Sequence, residues 1–435
     1  MINKYSCRLI FGLVCVFANV GSLAFAEAAR RAFDFVDGIG VNIKCPSWRN
    51  HQSNYANIML VEKSLVGLGI RHYRTNAKDV DADWAFYHRL YVEHGLQADL
   101  LHIGHFFPRF GERLRTFPDF IKYVEGVNEV DPPRGIMSNW SYRGQPYPAG
   151  AIRLQQEIYH TVKHDPATRA IPVIVPSVSR YEHQADLAGS EGDRQNMHSY
   201  PAGKRPSTLL SEAVATSDKV FTIPKPIVAT ETGYTTAVAS PQGGTVSELA
   251  KTKYTPRLVA EYWNHPRIER LYFYELIDTG DDPLEFEHGF GFVRPDGTVK
   301  PAFTALQSLV RLLDDSPARF RPEGLDFRIT GDAGMVHHTV LQKRNGDFYI
   351  LLWQEVDVYD AASKSDIQTK DAPVVVGFGR SPVRAVVHRY DDLGRLSSSS
   401  ADARDGTIRI NVPDTVTILQ LTLAPETPAV PVSSP

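Results

Sequence analysis

The sequence is poor in cysteine and has no concentration of positive charge. Its 435 residues include three cysteines, and its formal net charge is −3 without any run rich in lysine or arginine. Proteins that bind nucleic acid or anionic membrane surfaces normally present such a basic patch. Both partners are therefore disfavoured, and the shares of hydrophobic (43%) and charged (22%) residues are those of a globular protein.

Sequence motifs for cofactors and metals are missing as well. No G-x-G-x-x-G stretch follows a strand and opens a helix, which argues against a doubly wound nucleotide-binding sheet. No Cys-x-x-Cys or His-Glu-x-x-His pattern indicates zinc. His102 and His105 lie on one predicted strand, where a spacing of three residues points them to opposite faces. We expect neither a metal nor a cofactor.

The first 26 residues are typical of a secretory signal. Lys4 and Arg8 give a positive start, and Leu9–Ala18 is apolar but too short to span a bilayer. Ala24-Phe25-Ala26 matches the small-x-small pattern of a cleavage site. We predict that residues 1–26 are removed and that the protein is secreted or periplasmic, with no membrane contact after cleavage. An uncleaved N-terminal anchor is the alternative.

Removal of that segment takes Cys7 and Cys15 with it. Cys45 then remains alone, so no internal disulfide can form even in an oxidising compartment. A lone cysteine can be a nucleophile, but no Cys/His pairing is visible near Cys45. We expect a buried, unreactive thiol.

Strand-like and helix-like segments alternate between residues 27 and 315. The predicted strands lie in Phe35–Lys44, Ile70–Arg74, Gln97–His105, Tyr123–Glu129, Ile171–Ser177, Gln195–Tyr200, Ile227–Thr230 and Arg270–Ile277. Apolar residues at helical spacing separate most of them, and Ser207 is predicted to cap one helix. Eight such units fit a (β/α)8 TIM barrel, whose usual size is about 250 residues.

The pattern changes after residue 315 to short strands separated by turn residues. Arg344-Asn-Gly-Asp347 between two apolar runs is a strong hairpin signal. Residues 316–424 therefore predict a small all-β sandwich domain. We interpret it as a domain that packs against the barrel, with carbohydrate binding as the alternative. The tail at 425–435 is rich in proline and serine and is predicted to be disordered.

Two of the predicted barrel strands run into a glutamate. These are Tyr123-Val-Glu-Gly-Val-Asn-Glu129 and Pro226-Ile-Val-Ala-Thr-Glu231. One such residue alone would be read as a solvated strand end. Two of them point to a function, because the carboxyl ends of barrel strands line the active site. Cleavage of a glycosidic bond needs one protonated and one ionised carboxyl, about 5–5.5 Å apart in retaining enzymes.

Further polar residues fall at or near the ends of other predicted strands. They are Asn42, Arg74, His105, His198, Tyr200 and Glu275. Taken singly, such residues are often ion-paired or hydrogen-bonded members of a barrel core. Their occurrence together with two strand-end glutamates favours substrate binding.

The barrel resembles the clan-A glycoside hydrolases, which are retaining glycosidases with the acid/base on strand four and the nucleophile on strand seven. The likeness covers residues 33–315 and is carried by Gly126-Val-Asn128-Glu129, Ala229-Thr-Glu231-Thr-Gly, His198-Ser-Tyr200, Arg74 and the segment Gly291–Phe303. It implies a (β/α)8 barrel with Glu129 as general acid/base and Glu231 as nucleophile.

The resemblance also implies roles for neighbouring residues. Asn128 is expected to hydrogen-bond the sugar 2-hydroxyl. Arg74 and Tyr200 are expected to contact Glu231 and keep it ionised. His198 is expected to border the acid/base or the sugar.

One departure from the family concerns the end of strand eight. The family often has a stacking tryptophan there, whereas this sequence has Tyr272-Phe-Tyr274-Glu275. Tyr274 is a candidate to stack on the sugar, and Glu275 or Asp278 to bind hydroxyls. Trp140 is a second stacking candidate, with a loop anchor as the alternative.

These features predict a metal-independent retaining glycoside hydrolase acting on a polysaccharide or oligosaccharide. The alternative hypothesis is a non-catalytic carbohydrate-binding or matrix protein that keeps the barrel. Two carboxyls much more than about 6 Å apart would favour that alternative or an inverting mechanism. No feature of the sequence requires more than a monomer.

Overall fold

The computed structural model describes residues 26–104, 106–132, 139–403 and 405–424. The predicted signal segment up to residue 25, His105 and the tail at 425–435 lie outside the described residues. Within the described ranges, every helix is too short or too polar to cross a bilayer.

Eight parallel strands form one ring whose order follows the chain. They are β1 (Ile39–Asn42), β2 (His72–Asn76), β3 (Gln97–His102), β4 (Ile121–Val127), β5 (Val173–Ile174), β6 (Gln195–His198), β7 (Ile227–Thr232) and β8 (Ile268–Phe273). β8 pairs with β1. A parallel bridge between Ile174 and Arg194 joins β5 to the start of β6 and closes the ring.

Helices connect these strands along the outside. They are α1 (Ala32–Asp37) before β1, then α2 (Ile58–Leu68), α3 (Asp81–His94), α4 (Phe110–Thr116), α5 (Ala149–Lys163), α6 (Leu210–Ser217), α7 (Glu248–Asn264) and α8 (Pro301–Leu313). Between β5 and β6 the connection is a 3₁₀ helix, Tyr181–Leu187. Other single 3₁₀ turns are Trp48–His51, Asn54–Ala56, Asp218–Val220 and Phe286–Gly289. The prediction of a (β/α)8 barrel is confirmed.

Helix α8 illustrates why these segments fold as they do. Its buried residues include Leu306, Leu309, Val310 and Leu313, which recur at helical spacing and belong to the main hydrophobic core. Pro301 occupies the first turn, where its missing N–H is not needed.

Two segments differ from the sequence-based prediction. The apolar residues Phe35 and Val36 were predicted as part of the first strand but lie in α1, packed against the barrel, with the Phe35 ring 5.5 Å from that of Trp263. A short apolar run does not distinguish a buried helix from a buried strand. Ser207 does not cap α6, which begins after Leu209, so the predicted helix start was wrong.

The C-terminal part consists of antiparallel sheets. Its main strands are β9 (Phe327–Gly331), β10 (Val336–Gln342), β11 (Phe348–Gln354), β12 (Ala372–Phe378), β13 (Pro382–Tyr390), β14 (Leu396–Ser400), β15 (Thr407–Val412) and β16 (Thr417–Leu423). A three-stranded sheet, β9-β12-β15, faces a larger one that contains β10-β11-β16-β13-β14. Residues such as Ile350, Val376, Ile410 and Leu419 fill the core between them. The predicted β-sandwich is confirmed.

The N-terminal residues join this β-sandwich region and not the barrel. Arg30–Arg31 extends the larger sheet by pairing with β10. Glu27–Ala28 pairs with Gly324–Leu325. The sequence had assigned residues 27–31 to the barrel. Two further two-residue ladders are Ser141–Tyr142 with Gln145–Pro146 and Tyr359–Asp360 with Ser365–Asp366.

Candidate active site

Glu129 lies two residues beyond β4, at the carboxyl end of the barrel. Its φ of 43° is in the left-handed region, which a residue with a side chain adopts only when its surroundings impose it. Hydrogen bonds of Glu129 and of the nearby Asp131 hold this part of the backbone. The Glu129 N–H donates to the Ser177 carbonyl (3.2 Å), and the fully buried Asp131 carboxylate accepts from the Ser179 N–H (2.6 Å) and lies 2.8 Å from His183 Nδ1.

Glu231 is the second-to-last residue of β7 and is only 7% exposed. Arg74 Nη1 donates to its Oε1 (2.6 Å), and the Tyr200 hydroxyl donates to its Oε2 (2.7 Å). Burial alone would raise the pKa of this carboxyl. The positive charges of His198, Arg74 and Lys44 and the Tyr200 hydrogen bond outweigh burial and lower the pKa to about 2. Glu231 is therefore ionised at neutral pH.

His198, the last residue of β6, lies between the two glutamates. Its Nδ1 is 2.6 Å from Glu129 Oε1 and 3.7 Å from Glu231 Oε2. Its Nε2 is 2.9 Å from the Thr230 hydroxyl. Burial opposes a charge on the ring, but the Glu231 charge and the Glu129 hydrogen bond together raise the pKa of His198. One carboxylate oxygen from each glutamate and one ring nitrogen all lie within 4.8 Å of one another.

Arg74, on β2, is fully buried beneath this pair. It makes a bidentate contact with Glu125, with Nε–Oε2 at 2.6 Å and Nη2–Oε1 at 2.9 Å. It also donates to the side-chain oxygens of Asn42 (2.8 Å) and Asn128 (2.6 Å). Burial alone would lower the pKa of Arg74. The negative charges of Glu125 and Glu231 outweigh burial and raise the pKa above its ordinary value. The predicted group of Arg74, Asn42, Asn128, His198 and Tyr200 is thus brought together around Glu231.

The sequence-based prediction missed Glu125. This fully buried carboxylate also accepts hydrogen bonds from Asn196 (2.9 Å) and Thr230 (3.1 Å). A signal for it existed, because an acid in the middle of an apolar strand requires a buried partner. Asn42 is itself 4% exposed and donates to the Thr230 carbonyl (3.0 Å), so it supports the site from below.

At the end of β8, Tyr274 and Glu275 contact other protein side chains. The Tyr274 ring packs edge-on against Phe290, at 5.2 Å between centroids, and its hydroxyl accepts from Lys44 Nζ (2.8 Å). Glu275 is fully buried, and its Oε2 accepts from the Tyr55 hydroxyl (3.2 Å) and lies 3.7 Å from Lys44 Nζ. Burial raises the pKa of Glu275 to about 8. Asp278 is also buried and pairs with Lys300 (2.7 Å).

A further predicted residue, Trp140, lies in the loop after β4. Trp140 is partly buried, and its Nε1 donates to the Gly104 carbonyl (2.7 Å), which ties the loop after β4 to the loop after β3. Such a contact is typical of a loop anchor, which was the alternative to stacking on the sugar. His105 lies outside the described residues. Cys45 is buried, and its thiol lies 3.5 Å from the Ser47 hydroxyl.

Among the residues that the structure describes, two groups of side chains have the ligand types and proximity that a metal ion needs. One is the set Glu129, His198 and Glu231. Its carboxylate oxygens already accept hydrogen bonds from Arg74 and Tyr200, which favours an ionised, hydrogen-bonded acid over a metal ligand. The other is Glu62, Glu93 and His94 on α2 and α3, where Arg89 neutralises Glu62 at 2.8 Å.

A scan against models of protein families finds no match for this sequence, and a search of curated proteins finds none. Solved structures do resemble it. One is a family 39 glycoside hydrolase from the gut symbiont Bacteroides cellulosilyticus WH2, with a TM-score of 0.60, 14% identity, and coverage of 89% of this chain and 82% of that one. Another is a glucosidase from Croceicoccus marinus, with a TM-score of 0.60, 12% identity, and coverage of 91% and 97%. The protein therefore has the fold of these two structures, a (β/α)8 barrel followed by a β-sandwich, as the resemblance to clan-A glycoside hydrolases predicted.

Proposed function

We propose that this protein is a glycoside hydrolase that retains anomeric configuration, with Glu231 as nucleophile and Glu129 as general acid/base. One observation carries the proposal. A carboxylate oxygen of Glu129 lies within 4.8 Å of one of Glu231, at the carboxyl end of the barrel. That separation suits a retaining mechanism, whereas inverting enzymes need about 6.5–9.5 Å to admit a water molecule. It also disfavours the alternative of a non-catalytic binding protein.

In the first step, Glu231 attacks the anomeric carbon and forms a covalent glycosyl ester, while Glu129 gives a proton to the departing oxygen. Arg74 and Tyr200 hold Glu231 in its ionised form, so the nucleophile needs no deprotonation before attack. Negative charge at Glu231 also stabilises the positive charge that develops on the sugar ring.

In the second step, Glu129 removes a proton from water, which attacks the anomeric carbon and releases Glu231. His198 supports this change of role, because its Nδ1 shares a 2.6 Å hydrogen bond with Glu129 Oε1. Once the ester has formed, Glu231 no longer carries the charge that raises the pKa of His198. The ring then holds its proton less firmly.

The substrate class that we propose is a polysaccharide or oligosaccharide, met outside the cytoplasm after removal of residues 1–26. The signal-like N-terminal sequence supports this location. A monomer suffices, because all residues of the proposed site come from one chain.

The proposal is tested with Glu129→Gln and Glu231→Gln, and with Glu212→Gln as the control, since Glu212 is exposed on α6. On a panel of polysaccharides and aryl glycosides, both site variants are expected to lose about 10³-fold or more in kcat while keeping their Tm. Glu231→Gly with azide or formate is expected to give an adduct of inverted configuration, and Glu129→Ala with azide a retained one. Normal turnover in both glutamine variants would contradict the assignment.

A further inference from the structure

The segment between β6 and α6 has an irregular backbone. It covers residues 199–209, and three of its residues, Ala202 (φ 51°), Gly203 (φ 81°) and Leu209 (φ 60°), lie in the left-handed region. Tyr200, which donates its hydroxyl proton to Glu231, belongs to this segment. Since no helix or strand fixes this backbone, the place of the Tyr200 hydroxyl depends on contacts from elsewhere.

The barrel supplies the first group of contacts. The hydroxyls of Thr232 and Tyr262 both donate to the Ser199 carbonyl, each at 2.7 Å. The Tyr234 hydroxyl donates to the Lys204 carbonyl at 2.8 Å. These bonds are made to backbone carbonyl groups of the segment. They do not involve the N–H groups of Arg205 and Ser207.

The β-sandwich region supplies those partners. Asp357 Oδ1 accepts from the Arg205 N–H (2.7 Å), and Glu355 Oε1 accepts from the Ser207 N–H (2.8 Å). Glu355 is only 1% exposed, and its other oxygen accepts from Arg257 Nη2 (2.8 Å) and Trp353 Nε1 (3.1 Å). Hydrogen bonds from backbone N–H groups to ionised carboxylates are stronger than those between neutral groups.

We propose that Glu355 and Asp357 are positioning residues that hold the 199–209 segment so that Tyr200 meets Glu231. The β-sandwich region is then part of the catalytic unit and not a separate carbohydrate-binding module. This inference rests on the proposed function, because Glu231 is the nucleophile there. The sandwich region then influences the reaction through Tyr200 and does not need to contact the sugar.

The test uses Asp357→Ala, because Asp357 is partly exposed and its loss should not unfold the protein. Asp357→Asn keeps an oxygen that can accept from the Arg205 N–H. This variant is therefore expected to behave nearly like the wild type. Asp371→Ala, an exposed aspartate of the same region, is the control. Hydrogen–deuterium exchange, followed by mass spectrometry of the 199–209 peptide, is expected to accelerate about tenfold in Asp357→Ala only. Unchanged exchange there would overturn the inference, whether or not the protein hydrolyses glycosides.

Kinetics give the second measurement. Tyr200 helps to lower the pKa of Glu231, so a displaced Tyr200 raises that pKa and moves the acidic limb of kcat/KM to higher pH. We expect this shift together with an about tenfold loss of kcat in Asp357→Ala, with Tm unchanged. Faster exchange with an unchanged kcat and acidic limb would also overturn the inference. A wild-type protein inactive on every substrate would refute the proposed function, and the exchange experiment would still decide the positioning role.

Discussion

Glu129 and His198 form a direct hydrogen bond in the candidate site. The two groups are 2.6 Å apart, and both are close to the ionised Glu231. The two side chains can therefore share the proton that Glu129 delivers to the leaving group.

The pH profile of kcat/KM follows from this coupling. We expect activity to fall as the pH rises through an apparent pKa above the ordinary value of 6.5 for histidine, because Glu231 and Glu129 raise the pKa of His198. The acidic limb should lie far below neutrality, since Glu231 has a pKa of about 2. In His198→Phe the alkaline limb should move to lower pH, because the ring that stabilised the proton is gone.

The measurement is kcat/KM from acid to alkaline pH for the wild type, His198→Phe and the control His164→Phe. His164 is exposed at the end of α5, so its replacement should leave the profile unchanged. An alkaline limb at the same pH in all three proteins would contradict the shared-proton account.

Among the secondary-structure elements, β4 contributes most to the site. It carries Glu125 inside the barrel and delivers Asn128 and Glu129 at its end. Gly126 lets two neighbours approach this strand closely. A Cβ at this position would lie 2.3 Å from Gln155 Oε1 and 2.7 Å from the backbone nitrogen of Pro176. The amide of Gln155 can move away, but the backbone of Pro176 cannot do so without shifting the strand.

Gly126→Ala is therefore expected to destabilise the protein by about 1–3 kcal/mol and to lower kcat, because β4 and Glu129 move together. Urea denaturation and steady-state kinetics measure the two effects. Gly377→Ala is the matched control, since Gly377 also lies in a strand but has open space around its Cβ position. Equal stability and activity in the two variants would show that the close approach at Gly126 has no consequence.

Strand existence could be predicted from the sequence more reliably than strand extent. Apolar residues Ile227–Ala229 identified β7, but the predicted strand ended at Thr230. In the structure the ladder continues, because His198 pairs with Glu231 and Phe273 with Thr232. Glu231 therefore lies inside the strand. Hydrophobic pattern reports burial along one segment and contains no information about the strands that pair with it.

The same limit explains which residues of the candidate site could be predicted from the sequence. Glu129, Glu231 and Arg74 stand at recognisable places on single strands. Glu125 and Lys44 gain their importance from partners far away in the chain, namely Arg74 and Tyr274. Those contacts depend on the register of the closed barrel, which the sequence pattern of one strand does not specify.

At the scale of the whole molecule, the barrel and the β-sandwich share buried charges. Arg257 on α7 is fully buried and donates to Glu355 from Nη2 (2.8 Å) and Nε (3.2 Å). Trp353 Nε1 donates to Glu261 Oε1 (2.9 Å). Removal of either partner would leave the other charge buried without compensation, so each side of this contact depends on the other.

Arg257→Met is expected to destabilise the protein by about 3–5 kcal/mol, because it leaves Glu355 as a buried charge without its cation. The double variant with Glu355→Met should recover much of this loss. Urea denaturation measures both, and a single transition is expected when barrel and sandwich unfold together. Arg395→Met, which removes an exposed pair with Asp391, is the control and should change stability by less than about 1 kcal/mol. A loss for Arg257→Met as small as that of the control would contradict a firm interface.

The change of pattern near residue 315 was sufficient to predict a barrel followed by a sandwich. The sequence contained no comparable signal for the two short N-terminal strands. Glu27–Ala28 and Arg30–Arg31 are only two residues long each and have no alternation that a strand prediction could use. Their partners are known only from the folded chain.

Those two ladders have a consequence for biosynthesis. Residues 27–31 leave the ribosome ahead of every other segment described above, yet β10, which Arg30–Arg31 joins, is made only when residue 342 is reached. Residues 27–31 thus stay without their strand partners until Gly324–Leu325 and β10 have been made. The native state can be completed only when the last quarter of the chain is being made. A nascent protein stalled before that point lacks the pairing of Arg30–Arg31 with β10.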